Sequence, residues 1–135
     1  MLTDLLSKKF ARKKLKLNEK VEIIKNRLYL FHIKNTGVAF NFLSGRKRLI
    51  LSLNAGIILY MLLLIRRFKA PWAKLSFSLA LGGALGNMID RIKNGSVTDF
   101  IYFKFKKAPV FNISDFFVII GGLASAVVLL INMEQ

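Results

Sequence analysis

Three aspartates stand apart in a strongly basic chain. Asp90, Asp99 and Asp115 are the only acidic residues between Glu22 and Glu134, in a 135-residue sequence of net charge +15. Two carboxylates that share a water can hydrolyse a peptide bond. Like charges a few ångströms apart do not both ionise easily, so one of the pair keeps a proton. The ionised partner takes a proton from water, and the protonated one donates to the carbonyl oxygen or the leaving amine. The titration then belongs to the pair. Asp99 and Asp115 suit this chemistry because each sits where an apolar segment meets a membrane surface. Asp90 adjoins Arg91, which favours a structural salt bridge or a helix-end role for it. Spacing alone leaves a plainer reading open, with Asp115 a charge favoured at a helix N-terminus and Asp99 a loop acid.

Other chemistries fit less well. Lys74 and Ser78 lie four apart, as a Ser–Lys pair would, but Lys74 stands at a basic helix end and reads as a snorkelling anchor. Cysteine is absent and His32 is the single histidine. Without a carboxylate or cysteine cluster beside it, His32 reads as structural, and no metal or cofactor is expected. No phosphate-binding loop or paired-histidine metal motif is present.

The elements that must position the aspartates are mostly apolar. Hydrophobic residues make up 54% of the chain, above the ~45–50% of soluble domains, and they cluster into three apparent spans, residues 49–65, 72–92 and 113–133. The second begins at Pro71-Trp72, with proline suited to a first turn and tryptophan to an interface. Near its end Gly82 and Gly86 form a small-xxx-small pair that lets backbones approach in lipid. Gly122 and Ala126 offer the same on the third. Asn87, Asp90 and Arg91 follow Gly86 within about one turn. Asn94-Gly95 turns the chain into a strand-like segment, 97–107, that carries Asp99. Phe111 to Asp115 then opens the last span.

Residues 28–34 place Tyr29, Phe31 and Ile33 on one side of a strand and His32 and Lys34 on the other. After the turn at Asn35-Thr36-Gly37, residues 38–42 could return as a second strand. Residues 1–20 read as a basic segment at lipid head groups, with Phe10, Leu15 and Leu17 between its cations. With apolar spans present, the basic balance points to a membrane surface, and no motif that reads bases appears. The link 66–74 carries four positive charges, which places it inside the cell and puts residues 1–48, Asp99 and Asp115 together outside. The expected fold is an all-α membrane protein, a single domain over 1–135 built as a helical bundle. A small extracytoplasmic β element at 28–42 cradles the site.

Three stretches resemble lipoprotein signal peptidase (signal peptidase II) in order and spacing. They are Asn35 to Phe40, GGALGNMIDRIKNGSVTDFI from Gly82, and Phe111-Asn112-Ile113-Ser114-Asp115. Thr3 to Lys8 also resembles the family segment at the outer end of its first membrane helix. Ser114 stands where alanine is usual, and Val38 where alanine is common. The family has four spans, so the resemblance implies that the first is missing here and that the true start lies upstream. It further implies an aspartic endopeptidase of the bacterial inner membrane, multi-pass, with its site on the extracytoplasmic face. The substrate would be a diacylglyceryl-modified prolipoprotein cut just before the lipidated cysteine, and globomycin the inhibitor. Asp99 and Asp115 match the catalytic aspartates. Asn35, Asn87, Asp90, Arg91 and Asn112 match polar residues that brace the site or hold substrate and inhibitor. A non-catalytic lipid- or lipopeptide-binding homologue lacking the first span is the alternative.

Overall fold

The computed structural model describes residues 1–38, 42–106 and 108–133. In chain order it has helix α1 (Leu2–Lys14), strands β1 (Lys20–Ile24) and β2 (Leu28–Asn35), helices α2 (Lys47–Arg67) and α3 (Pro71–Asn94), strands β3 (Val97–Phe103) and β4 (Val110–Phe111), and helix α4 (Ile113–Met133).

Among the described residues two helices, α2 and residues 113–132 of α4, are long and apolar enough to cross a membrane. At 1.5 Å per residue, 21 residues of α2 reach about 31 Å, close to the thickness of a hydrocarbon core. Only Ile50 and Leu64 of α2 are buried inside the protein, while Leu53, Ile57, Leu59 and Leu63 face outward. The expected middle span is α3, which packs against both α2 and α4. Its 24 residues are long enough, but Lys74 and the polar run from Asn87 to Asn94 interrupt its apolar character. It starts on Pro71 and stops at Gly95, whose left-handed φ of 76° lets its N–H reach the Arg91 carbonyl at 3.0 Å.

Small residues set how closely α3 and α4 approach, and of the expected glycines only Gly86 is among them. A Cβ at Gly82 or Gly122 would meet nothing within 4 Å. At Gly83 it would overlap the Ser114 carbonyl and Val118, and at Gly121 it would overlap the backbone of Ala80. Gly86 does belong to the contact, against Ser114 and Asp4. The buried stripe of α3 runs Ala73, Phe77, Ala80, Gly83, Gly86, Asp90, a three-or-four spacing that leaves Gly82 off the seam.

The sheet is antiparallel in the order β1-β2-β3-β4. Its strand β2 fills the first half of the expected 28–42 element. The returning strand at 38–42 falls largely outside the described residues, which omit 39–41. The neighbours of β2 are instead β1 and β3, with Ile33 opposite Asp99 and Asn35 opposite Val97. The Asn35 side chain accepts the Gly37 N–H at 2.9 Å, an Asx turn that bends the chain away from β2. A bulge between Leu30 and Ile33 also breaks the simple alternation. Tyr29 and His32 are both buried as a result. His32 is structural: its Nδ1 donates to the Leu15 carbonyl at 3.0 Å, and its backbone bonds Glu19 and Asn18.

Residues 1–20, expected as a basic surface segment, depart most from the sequence reading. They form a helix with one face turned inward: Asp4, Lys8 and Ala11 are buried, followed by Leu15. Phe10 and Leu17 are exposed, with Lys9, Lys13, Lys14 and Lys16. Two apolar clusters anchor the fold. Leu64, Ala73, Phe77 and Val128 join α2, α3 and α4, while Ala11, Leu15 and Phe100 join α1 to the sheet. The polar side chains of interest lie at the convergence of α1, α3, β3 and the start of α4.

Candidate active site

Asn112 joins the two aspartates. Its side-chain Nδ2 donates to Asp99 Oδ1 at 2.7 Å, and its backbone N–H donates to Asp115 Oδ2 at 2.9 Å. It can do both because it stands just before α4, where backbone N–H groups have no helical partner. Its Oδ1 accepts the Asp115 N–H at 3.0 Å, which caps the helix and fixes the amide with its NH2 toward Asp99.

Each carboxylate is then completed by a second asparagine. Asn35, at the end of β2, donates from Nδ2 to Asp99 Oδ2 at 3.0 Å. Asn87 of α3 donates from Nδ2 to Asp115 Oδ1 at 2.8 Å, and its Oδ1 accepts from Asn112 at 3.1 Å. Asp99 and Asn112 are almost wholly buried. Burial first, and then the neighbouring Asp115 charge, push the Asp99 carboxyl up to about 7, against the Asn112 and Asn35 amides and the Lys8 ammonium, which pull it down. Asp115 occupies the first turn of α4, where the helix dipole favours an anion. The two carboxyls are therefore arranged to share one proton, and the titration belongs to the pair. Beside Asp99 a cleft of about 410 Å³ opens between Ile33, Asn35 and Thr36 on one side and Ala108 to Val110 on the other.

Residues 1–131 match the family model described as Signal peptidase (SPase) II, Peptidase_A8. The chain belongs to the signal peptidase II family. Curated relatives include the lipoprotein signal peptidase of Halothermothrix orenii, 37% identical over 123 residues, covering 90% of this chain and 83% of the relative. That of Clostridium tetani is 34% identical over 128 residues, 91% of this chain and 82% of the relative. A solved bacterial membrane enzyme structure superposes with a TM-score of 0.91 at 27% identity, over 98% of this chain and 83% of that one. Membership makes this a membrane protease of lipoprotein processing.

Within the family frame, the seven polar residues expected at the site divide in two. Asn35, Asn87, Asp99, Asn112 and Asp115 form one hydrogen-bonded cluster. Asp90 and Arg91 stand beside it and do not pair with each other. Asp90 Oδ1 takes Arg12 Nη1 at 3.0 Å and the Asn94 amide, and its Oδ2 takes the Thr98 N–H at 2.7 Å. Arg91 reaches the other way, to the Gly37 carbonyl at 2.6 Å, holding the turn after β2. Adjacent helical residues point about 100° apart, so the sequence neighbours Asp90 and Arg91 serve different elements.

Three residues of α1 carry no role in the sequence reading: Arg12, which meets Asp90, and Asp4 and Lys8. Asp4 Oδ1 accepts the Ser114 N–H at 2.9 Å, a second cap on α4. Lys8 Nζ lies 2.7 Å from Asp4 Oδ2 and donates to Asn87 Oδ1 at 2.8 Å. Their i,i+4 spacing is the signal that was available. Among the described residues no three His, Asp or Glu side chains are grouped to hold a metal ion.

Proposed function

We propose that Asp99 and Asp115 are the water-activating pair of an aspartic endopeptidase acting on lipoprotein precursors. The observation that carries this reading is the pair of hydrogen bonds from Asn112, which ties the buried carboxylate of Asp99 and the half-buried one of Asp115 to one residue. Ionised Asp115 takes a proton from a water between the carboxylates. That water adds to the scissile carbonyl carbon while Asp99 donates its proton to the carbonyl oxygen. Collapse of the tetrahedral intermediate returns a proton to the leaving amine. Water and peptide give a carboxylic acid and an amine, and the pair regains its single proton.

The substrate follows from the relatives, which are lipoprotein signal peptidases. A diacylglyceryl cysteine keeps its chains in the bilayer, so the bond before it lies near the membrane surface, the depth of a site at helix ends. We assign α3 as a third span, its polar end at the extracytoplasmic surface of the inner membrane, with the sheet beside it as a cradle for extended substrate. Asn35, Asn87 and Asn112 orient the pair, Asp90 and Arg91 brace its walls, and globomycin is the expected inhibitor.

The test is cleavage of a diacylglyceryl lipopeptide by detergent-purified Asp99→Asn and Asp115→Asn. Each should lose at least about 10³ in kcat while keeping its folded state. Wild-type turnover in either variant would remove the pair from the mechanism. Lipopeptide or globomycin binding by the unmutated chain with no cleavage would instead make it a non-catalytic binder.

A further inference from the structure

Lys8 is buried to the last ångström, with 0% of its side chain exposed. A lysine so placed requires a reason, because burying an ammonium is costly unless it is paired and hydrogen-bonded. Asp4 supplies the pairing, one turn back on α1, at 2.7 Å. That contact neutralises Lys8 but does not explain why the pair is buried here. The second bond does: Lys8 Nζ donates to Asn87 Oδ1 at 2.8 Å.

An asparagine amide has one oxygen face and one NH2 face. With its oxygen held by Lys8 and by Asn112, the NH2 of Asn87 has one direction left, toward Asp115 Oδ1 at 2.8 Å. The reversed rotamer would set an NH2 against an ammonium and an oxygen against a carboxylate. A cation cannot accept a hydrogen bond, so Lys8 excludes that rotamer outright.

We infer that Lys8 is a positioning residue for the proposed aspartate pair, locking the Asn87 amide so that it donates to Asp115 and keeps that carboxylate ionised as the base. This rests on the assignment of Asp99 and Asp115 in the preceding section. The charged groups around Lys8 are Asp4 on its own helix, Asp90 of α3 at 3.9 Å, Asp99 of β3 and Asp115 of α4. Arg12 is committed to Asp90, and Arg91 to the Gly37 carbonyl. Among the described residues Lys8 is thus the cation that bonds directly to a side chain holding the pair. Its charge also bears on Asp99, holding that carboxyl lower than burial alone would.

Three variants separate the parts of this role, each assayed for kcat, KM and pH profile on a fluorogenic diacylglyceryl lipopeptide in detergent micelles. Lys8→Met removes charge and donor. Its kcat should fall about tenfold to a hundredfold with KM little changed, and its pH–rate bell should move up by about one unit, since a nearby cation no longer favours the ionised carboxyls. Lys8→Gln keeps a donor toward Asn87 without the charge, so it should recover much of kcat while keeping the displaced bell. Asp4→Asn/Lys8→Met leaves no unpaired buried charge and retains an oxygen for the Ser114 N–H. If Lys8→Met alone does not fold, this variant decides: its kcat should still fall about tenfold because the Asn87 amide is unlocked. Wild-type kcat and pH profile in a folded double variant would overturn the inference while Asp99→Asn and Asp115→Asn remain inactive. Undiminished cleavage by those aspartate variants would instead overturn the pair itself.

Discussion

The junction between α3 and β3 and the cleft beyond it each bury an aspartate, nine residues apart, to nearly the same degree. Asp90 is 2% exposed and Asp99 is 1% exposed. Their surroundings differ in one respect. Asp90 has a guanidinium, an amide and a backbone N–H. Asp99 has two neutral amides and, nearby, a second carboxylate. Burial therefore does not distinguish a structural carboxylate from a reactive one; charge compensation does. A compensated anion is stable and inert, while an uncompensated one beside another anion holds a proton that chemistry can use.

That contrast is broken most decisively by removing each charge in turn and watching stability. The folded-state value of Asp99, about 7, lies above its ordinary 3.8. Its contribution is fully present below about pH 4 and is lost as pH rises through 7, because the fold must then hold an anion it disfavours. Asp99→Asn removes that penalty. Relative to wild type it should gain up to roughly 4 kcal/mol between pH 4 and pH 8, on top of a pH-independent loss because the introduced NH2 faces a donating amide of Asn35 or Asn112. Melting temperature against pH in detergent measures it, and a difference from wild type that stays constant between pH 4 and 8 would refute the uncompensated state of Asp99. This is a stability gained with rising pH while activity is lost, as expected where a site carries strain for function.

Asp90→Ala should do the opposite. It strands Arg12 and leaves the Thr98 N–H and Asn94 amide without their acceptor. Arg12 is 35% exposed and can turn to water, so the loss should be about 2–3 kcal/mol, below that of a fully buried broken pair. The same melting series reads it, now with a decrease that persists from pH 5 to 8. If Asp90→Ala instead abolished cleavage without destabilising the chain, the division between brace and reactive carboxylate would be wrong.

Much of the cleft was legible because its parts are punctuated in sequence. Phe111-Asn112 before an apolar run marks a helix start, which places Asp115 in a first turn, and Asn94-Gly95 marks a stop, which places Asp99 in the strand-like segment just beyond it. The asparagines around them came from family resemblance. The junction was not legible. Adjacent residues suggested that Asp90 pairs with Arg91, whereas its cation is Arg12, 78 positions earlier, a pairing that only the docking of α1 creates. Residues 1–20 misled for a related reason. Twenty residues rich in lysine read as surface by composition, and the buried face, Asp4, Lys8, Ala11 and Leu15, shows only once 3.6-residue spacing is applied to them. The bulge in β2 was invisible too, since it depends on how β2 meets β3.

The smallest effect separates the two regions by geometry instead of charge. Gly82 and Gly83 are neighbours, yet only Gly83 faces α4, where a methyl group would overlap the Ser114 carbonyl and Val118. Ser114 adjoins Asp115, so pressure there moves the base of the proposed pair away from Asn87, while the contacts of Asp90 with Arg12 and Thr98 lie on other elements. Gly83→Ala should cost about 1–3 kcal/mol through overpacking and lower kcat by more than its melting shift explains. Gly82→Ala meets open space and should leave kcat unchanged, with a gain of at most about 1 kcal/mol from helix propensity. Measured together, the two variants test whether the α3–α4 spacing sets the cleft. Equal effects from both would mean that helix propensity governs them, and a kcat loss in Gly82→Ala alone would put the wrong face of α3 against α4.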